Sequence, residues 1–198
     1  MQIPRLQLTL GQVAWALNFG QPAPRHLLDQ LNYLRQLGVP FAREERASGS
    51  GNRVRYGYNE MIECGVAIYA LQNGMKPADI CKVIVGQRSQ MRKLYRKALR
   101  DQPELALTAS WVKSRGREGA LRTNDIWLRL HDRYSQTPGA METVDPSSPD
   151  AQTGVSLFDP VERYAGGPTL RLVPLTGLAL QWIAWALEAP EIRVGRPS

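Results

Sequence analysis

Four glycines, Gly20, Gly38, Gly74 and Gly86, cut the first hundred residues into pieces of helical length, and apolar residues inside those pieces recur at helical spacing. Such punctuation confines this half of the chain largely to short amphipathic helices joined by tight turns. Thr9-Leu10-Gly11-Gln12 has the form of a capping box, in which Thr9 and Gln12 satisfy each other's free backbone amides. Leu10, Val13, Ala14 and Leu17 follow at i, i+3, i+4 and i+7, and Asn18-Phe19-Gly20-Gln21-Pro22 stops the helix with Gly20 as the left-handed residue. A second helix opens at Pro24, whose missing N–H suits a first turn. It sets Leu27, Leu31 and Leu34 on one face and Arg25, Asp29, Asn32 and Gln36 on the other, and ends at Gly38. Met61, Cys64, Ile68 and Leu71 mark a third helix, closed by Asn73-Gly74. Pro77 starts a fourth, with Ile80, Val83 and Ile84 facing inward until Gly86.

Between the second and third helices, Val39–Glu44 and Arg53–Tyr58 have the composition of two short strands around the turn-forming run Ala47–Asn52. Arg43, Arg46, Arg53 and Arg55 surround this hairpin, with Tyr56 and Tyr58 beside them. Two helices across a Gly-containing turn, followed by an arginine-fringed glycine-rich hairpin, give the outline of a winged helix-turn-helix. The plainer reading is a solvated hairpin whose charged edges oppose aggregation. From Lys82 to Arg100 the chain is at its most basic. Lys82, Arg88, Arg92, Lys93, Arg96, Lys97 and Arg100 occur without an acid among them, around an apolar stripe of Met91, Leu94, Tyr95 and Ala98. This is an amphipathic helix over 87–101 whose cations contact phosphate or form a solvated face outside a dimer seam. A calmodulin-target or membrane-surface helix has the same appearance.

The second half is less legible. Arg115–Gly119 has turn composition, and Ile126, Leu128 and Leu130 alternate like a strand, while Thr123-Asn124-Asp125 equally suits the cap of a helix through Tyr134. Residues 135–154, rich in Pro, Ser, Thr and Asp, form a loop or linker by composition. Thr169–Val173 is strand-like, and Thr176 is placed to cap a final apolar helix, Gly177–Glu188, carrying Trp182 and Trp185. So apolar a helix needs its own core or a second subunit.

Charge separates the halves. Residues 1–100 hold 15 basic and 6 acidic side chains, net +9, and residues 101–198 hold 10 and 12, net −2, which sum to the chain's +7. A basic front half on a near-neutral back half is the pattern of a polyanion-binding module joined to something else. Two cysteines, Cys64 and Cys81, cannot build a disulfide framework and fall in apolar helical patterns. Gln7, Gln12 and Asn18 interrupt any secretory leader. The longest apolar stretch, Leu175–Leu187, falls short of the roughly 20 residues a membrane span needs. A cytoplasmic, nucleoid-associated protein without membrane contact is the expectation. With His26 and His131 as the only histidines, zinc spacing, HExxH and CxxC are missing, as are a P-loop and a GxSxG elbow. The expectation is therefore no metal, no cofactor and no enzyme, although a pocket in the second half remains an alternative. RNA binding is disfavoured because the aromatic RNA-recognition signature is missing.

Residues 9–85 resemble the DNA-binding domain of the MerR family of bacterial transcription regulators. Thr9-Leu10-Gly11-Gln12-Val13-Ala14 is similar to that family's opening, and Tyr56, Glu60, Met61, Gly74, Asp79 and Ile80 fall in the register the family shows after its wing. The chain departs from the family in three places, one being a second helix longer than usual before Gly38. Leu28-Asp29-Gln30 stands where the family has an Arg followed by two aromatics, and Val54 occupies the usual wing-arginine position. The resemblance covers about two-fifths of the chain.

The expected architecture is α+β and mainly α. It comprises a winged helix-turn-helix over 1–86, a basic helix over 87–101, and a small α/β dimerisation or interaction domain over 102–198 with its loop at 135–154. The expected function is a sequence-specific regulator that binds double-stranded DNA. It dimerises through the Trp182/Trp185 helix, with RNA polymerase a further candidate partner. Arg25, His26, Gln30 and Asn32 are the candidates for base edges. Arg43, Arg46, Arg53, Arg55 and Tyr56 would reach backbone or minor groove, and Arg88, Arg92 and Lys93 phosphates. The resemblance implies distortion of promoter DNA. The alternative is an architectural, excisionase-like accessory of recombination.

Overall fold

The computed structural model describes residues 2–42, 54–100, 102, 126–130, 141–144 and 171–191. The chain is α-rich. Helix α1 (Leu10–Leu17) begins with the expected reciprocal cap: the Thr9 amide donates to Gln12 Oε1 at 2.9 Å and the Gln12 amide to Thr9 Oγ1 at 3.3 Å. It ends through two left-handed residues, Phe19 (φ 53°) and Gly20 (φ 75°). Helix α2 (Arg25–Gln36) starts one residue later than its proline suggests, with Pro24 as the N-cap. Leu27, Leu31 and Leu34 are buried as their spacing predicts, and Gly38 (φ 102°) turns the chain away.

The predicted hairpin takes a different form. Tyr56 pairs with Leu8, each amide donating to the other's carbonyl at 2.9 Å. Tyr58 is already the first residue of helix α3 (Tyr58–Gln72). Residues 39–41 form bends at a cis Val39–Pro40 peptide, so the described part of Val39–Glu44 is no strand. The segment before α1 supplies the partner that the local pattern assigned to Val39–Glu44. Gly57 caps α3, and Glu60 receives the Gly57 amide at 3.1 Å. Helix α3 is buried on nearly every side, with Met61, Ile62, Cys64, Val66, Ala67 and Ile68 all in the core.

Helix α4 (Pro77–Arg100) is continuous. The expected break at Gly86, and with it a separate basic helix over 87–101, does not occur. An interior glycine costs a helix about 1 kcal/mol. The buried residues on both sides of Gly86, Ile80, Val83 and Ile84 before and Met91, Tyr95, Ala98 and Leu99 after, outweigh that cost.

Strand β1 (Trp127–Leu130) settles the strand-or-helix alternative. It lies between β2 (Met141–Val144) and β3 (Arg171–Val173), antiparallel to both, with Leu128 opposite Thr143 and Val173. Strand β2 falls inside the segment read as a loop, because its four residues gain their order from cross-strand pairing, which composition does not register. The turn at Arg115–Gly119 lies outside the described residues.

Helix α5 (Leu175–Leu187) follows β3 directly. Thr176 does not cap it; Pro174 holds that position. Instead the Thr176 hydroxyl accepts the Ile126 amide at 2.8 Å, and the Thr176 amide donates to the Ile126 carbonyl at 3.3 Å, tying helix to sheet. Helix α5 packs on α1, α3 and α4. Trp182 covers Gly65 in α3, while Trp185 lies against Gly20 and meets Trp15 edge to face at 5.7 Å. Residues from both ends of the chain therefore share one hydrophobic core. Helix α4 runs across the boundary expected at 86, and α5 joins the core of the first hundred residues. The side of α5 that carries Trp182 is covered by the chain itself.

A Cβ on Gly65 would fall inside the Trp182 ring, whereas one on Gly177 meets nothing within 4 Å. Gly65→Ala is therefore expected to cost about 1–3 kcal/mol in denaturant unfolding. Gly177→Ala should be neutral or stabilising by up to about 1 kcal/mol.

Candidate nucleic-acid interface

One face of α2 is sunk into the core, so the opposite face is held out to solvent on a fixed frame. The Arg25 side chain is 95% exposed, and Asp29 one turn later is 4.0 Å from it, an ion pair too open to hold the guanidinium. His26 is exposed. Gln30 and Asn32 are half-buried, toward the flanks of the helix. Sequence reasoning missed Tyr33, which is 49% exposed and stands two turns beyond Arg25 on the same face. Its spacing from Arg25 and Asp29, four residues apart in turn, was the available sign.

The arginines around the hairpin divide. Arg43, Arg46 and Arg53 lie outside the described residues. Arg55 is exposed and its Nη1 reaches the Gln7 carbonyl at 3.5 Å. Tyr56, expected to touch nucleic acid, is instead in the core at 1% exposure, edge to face with Phe41 at 5.1 Å. Burial pushes its hydroxyl pKa up to about 12, against the nearby Arg35 charge, which pulls it down. Strand alternation explains the reversal: beside Leu8, Arg55 points out and Tyr56 points in.

A second correction concerns α4. Arg88 and Arg92, expected to contact phosphates, are turned inward onto α3. The Glu63 carboxylate has no exposed surface. Its Oε1 accepts Arg88 Nε at 3.0 Å and Arg88 Nη2 at 2.7 Å, and its Oε2 is 3.6 Å from Arg92 Nε. Arg92 Nη2 is 3.0 Å from Glu60 Oε1, and Arg88 Nη2 also donates to the Gly38 carbonyl at the end of α2. Burial raises the Glu63 carboxyl pKa, and the hydrogen bond and charge of Arg88 oppose the shift. The reason for the reversal is helical phase. Glu60 and Glu63, on the buried helix α3, need cations, and Arg88 and Arg92 are the α4 side chains one turn apart that meet them.

Lys93 is exposed, as expected, and so are Lys82, Arg96 and Lys97. Both cysteines are buried. Burial puts the Cys64 thiol pKa well above its ordinary value and that of Cys81 at about 11, so both stay protonated at neutral pH. Among the described residues no group of three His, Cys, Asp or Glu side chains can hold a metal ion, and no helix is long and apolar enough to cross a membrane. His131 lies outside the described residues.

Glu63→Ala and Arg88→Ala are each expected to lower unfolding free energy by about 3 kcal/mol, because each deprives the other charge of its nearest partner. The double variant should lose at least about 1 kcal/mol less than the sum. Strict additivity would show that the pair is not coupled.

No protein-family model, curated protein or solved structure matches this chain.

Proposed function

We propose that the chain is a sequence-specific regulator of transcription that binds double-stranded DNA through a winged helix-turn-helix of the MerR-like kind. The observation that carries this reading is the presentation of α2. Its apolar side is locked by Leu27, Leu31 and Leu34, and its outer side offers Arg25, His26 and Tyr33 to solvent. Helix α1 and the short turn through Gly20, directly before α2, support reading the two as such a helix pair. The Phe41–Tyr56 ring contact brings together the two flanks of the segment that carries Arg43, Arg46 and Arg53, which supports reading that segment as a wing.

On this reading α2 enters a major groove. Arg25 contributes a bidentate contact that favours guanine, and His26 and Tyr33 lie along the same groove. Gln30 and Asn32, at the flanks, reach base edges only if the groove wall comes to them. Arg55 and the arginines of the wing segment hold the backbone and supply affinity and salt dependence. The resemblance to the MerR family extends the proposal to promoter distortion and to a contact with RNA polymerase. A homodimer on this reading uses a surface other than the buried face of α5. That last point favours a second reading, an excisionase-like accessory that bends DNA as a single copy, because the strongest dimer candidate of the sequence is spent on the chain's own core.

Selection of randomised duplex DNA by the purified chain at near-physiological salt tests the proposal. A motif containing guanine, lost on Arg25→Ala, is the expected result. An inverted repeat favours the dimeric regulator, and a single asymmetric site favours the accessory. Enrichment without a motif contradicts both.

A further inference from the structure

The inward turn of Arg88 and Arg92 divides the cations of α4 into two populations. The inner pair is neutralised by Glu63 and Glu60. The outer set is not: among the described residues no carboxylate pairs with Lys82, Lys93, Arg96 or Lys97, all exposed. At about 100° per residue, Lys82, Lys93, Arg96 and Arg100 fall within about 60° of helical arc, with Lys97 about 40° beyond its edge. The stripe is about 27 Å long at 1.5 Å per residue.

Its middle is bare. Between Lys82 and Lys93 this face carries Gly86 and Ser89, both exposed. A Cβ on Gly86 would meet nothing within 4 Å, so the inner packing gives no reason for a glycine that costs the helix about 1 kcal/mol against alanine. A small residue between cations lets another backbone come close.

We propose that this outer face of α4 is a second DNA-backbone site, in which Lys82 on one side and Lys93, Arg96 and Lys97 on the other hold phosphates while the strand passes over Gly86 and Ser89. The proposal rests on the DNA-binding reading and extends it beyond α2 and the wing. Charge complementarity supports it, and the burial of the apolar side of α4 argues against the other uses of a basic amphipathic helix. Ile80, Ile84, Met91 and Tyr95 are already covered by the chain's own core, so α4 has no apolar face left for a bilayer or for a calmodulin-like groove. Val85 is the one large apolar side chain exposed on α4.

The test measures binding of the full-length chain to its selected duplex and to an unrelated duplex across a salt series. It compares wild type, Arg25→Ala, the triple variant Lys93→Gln/Arg96→Gln/Lys97→Gln, and Gly86→Gln, each with its thermal midpoint. The triple variant is expected to keep its preference for the selected duplex while its log–log salt slope becomes shallower by about 2 to 3 on both duplexes. Gly86→Gln should bind both about tenfold more weakly with a thermal midpoint no lower than wild type. A triple variant with the wild-type slope, or Gly86→Gln binding as wild type, overturns the second site and leaves α2 as the reader. A wild type that binds both duplexes equally, with a slope that still falls in the triple variant, overturns the sequence-specific regulator and supports the backbone site. Anionic vesicles form the control arm: loss of vesicle binding in the triple variant with DNA binding unchanged overturns the proposal in favour of a membrane surface.

Discussion

The Glu63 carboxylate, without solvent contact and clamped by Arg88, fixes three elements at once. It belongs to α3, its partner to α4, and the same guanidinium reaches the carbonyl of Gly38 where α2 ends. Removing a carboxylate from water is expensive, and burial indeed raises its pKa. Such a group persists only with positive charge beside it, here two Arg88 nitrogens on Oε1 and the Arg92 guanidinium near Oε2. The outcome is a set angle between the exposed face of α2 and the long axis of α4. Every functional inference about this chain depends on those two surfaces being carried by one frame.

The other end of the chain completes the frame. Helix α5 is apolar nearly all round, and its two indoles lie over glycines of the same chain: Trp182 at Gly65 and Trp185 at Gly20. Gly20 thereby serves twice, as the left-handed residue of the α1–α2 turn and as the floor beneath an indole. The turn that sets α2 against α1 is thus braced by residues more than 160 positions away. The near-neutral charge of the second half fits a segment that covers a core, while the basic surface stays with the first hundred residues.

Local chemistry was legible in the sequence wherever one element contained the whole interaction. The Thr9/Gln12 box, the left-handed Gly20, the buried stripe of α2 and the exposed Arg25 needed no partner from elsewhere. What was not legible depended on a distant partner. Tyr56 looked like a surface residue among arginines until Leu8 supplied the pairing that turns it inward. Arg88 and Arg92 belonged to a run of like charges with nothing in that run to distinguish them from Lys93, because the distinction is made by Glu60 and Glu63 on another helix. Thr176 had the composition of a cap and is spent instead on Ile126. Tyr33 shares the outer face of α2 by its spacing from Arg25 and Asp29, but an aromatic ring in a helix is as readily a core residue.

The central proposal is that α2 and the outer face of α4 both meet DNA while the buried ion-pair cluster stays unchanged. Chemical-shift mapping of the isotopically labelled chain, titrated with its selected duplex, tests this most directly. The account predicts shifts concentrated at Arg25, His26 and Tyr33 and along Lys82–Arg96, with the Glu63 and Arg88 side-chain signals unmoved. Shifts confined to other surfaces, with α2 silent at saturation, would contradict it.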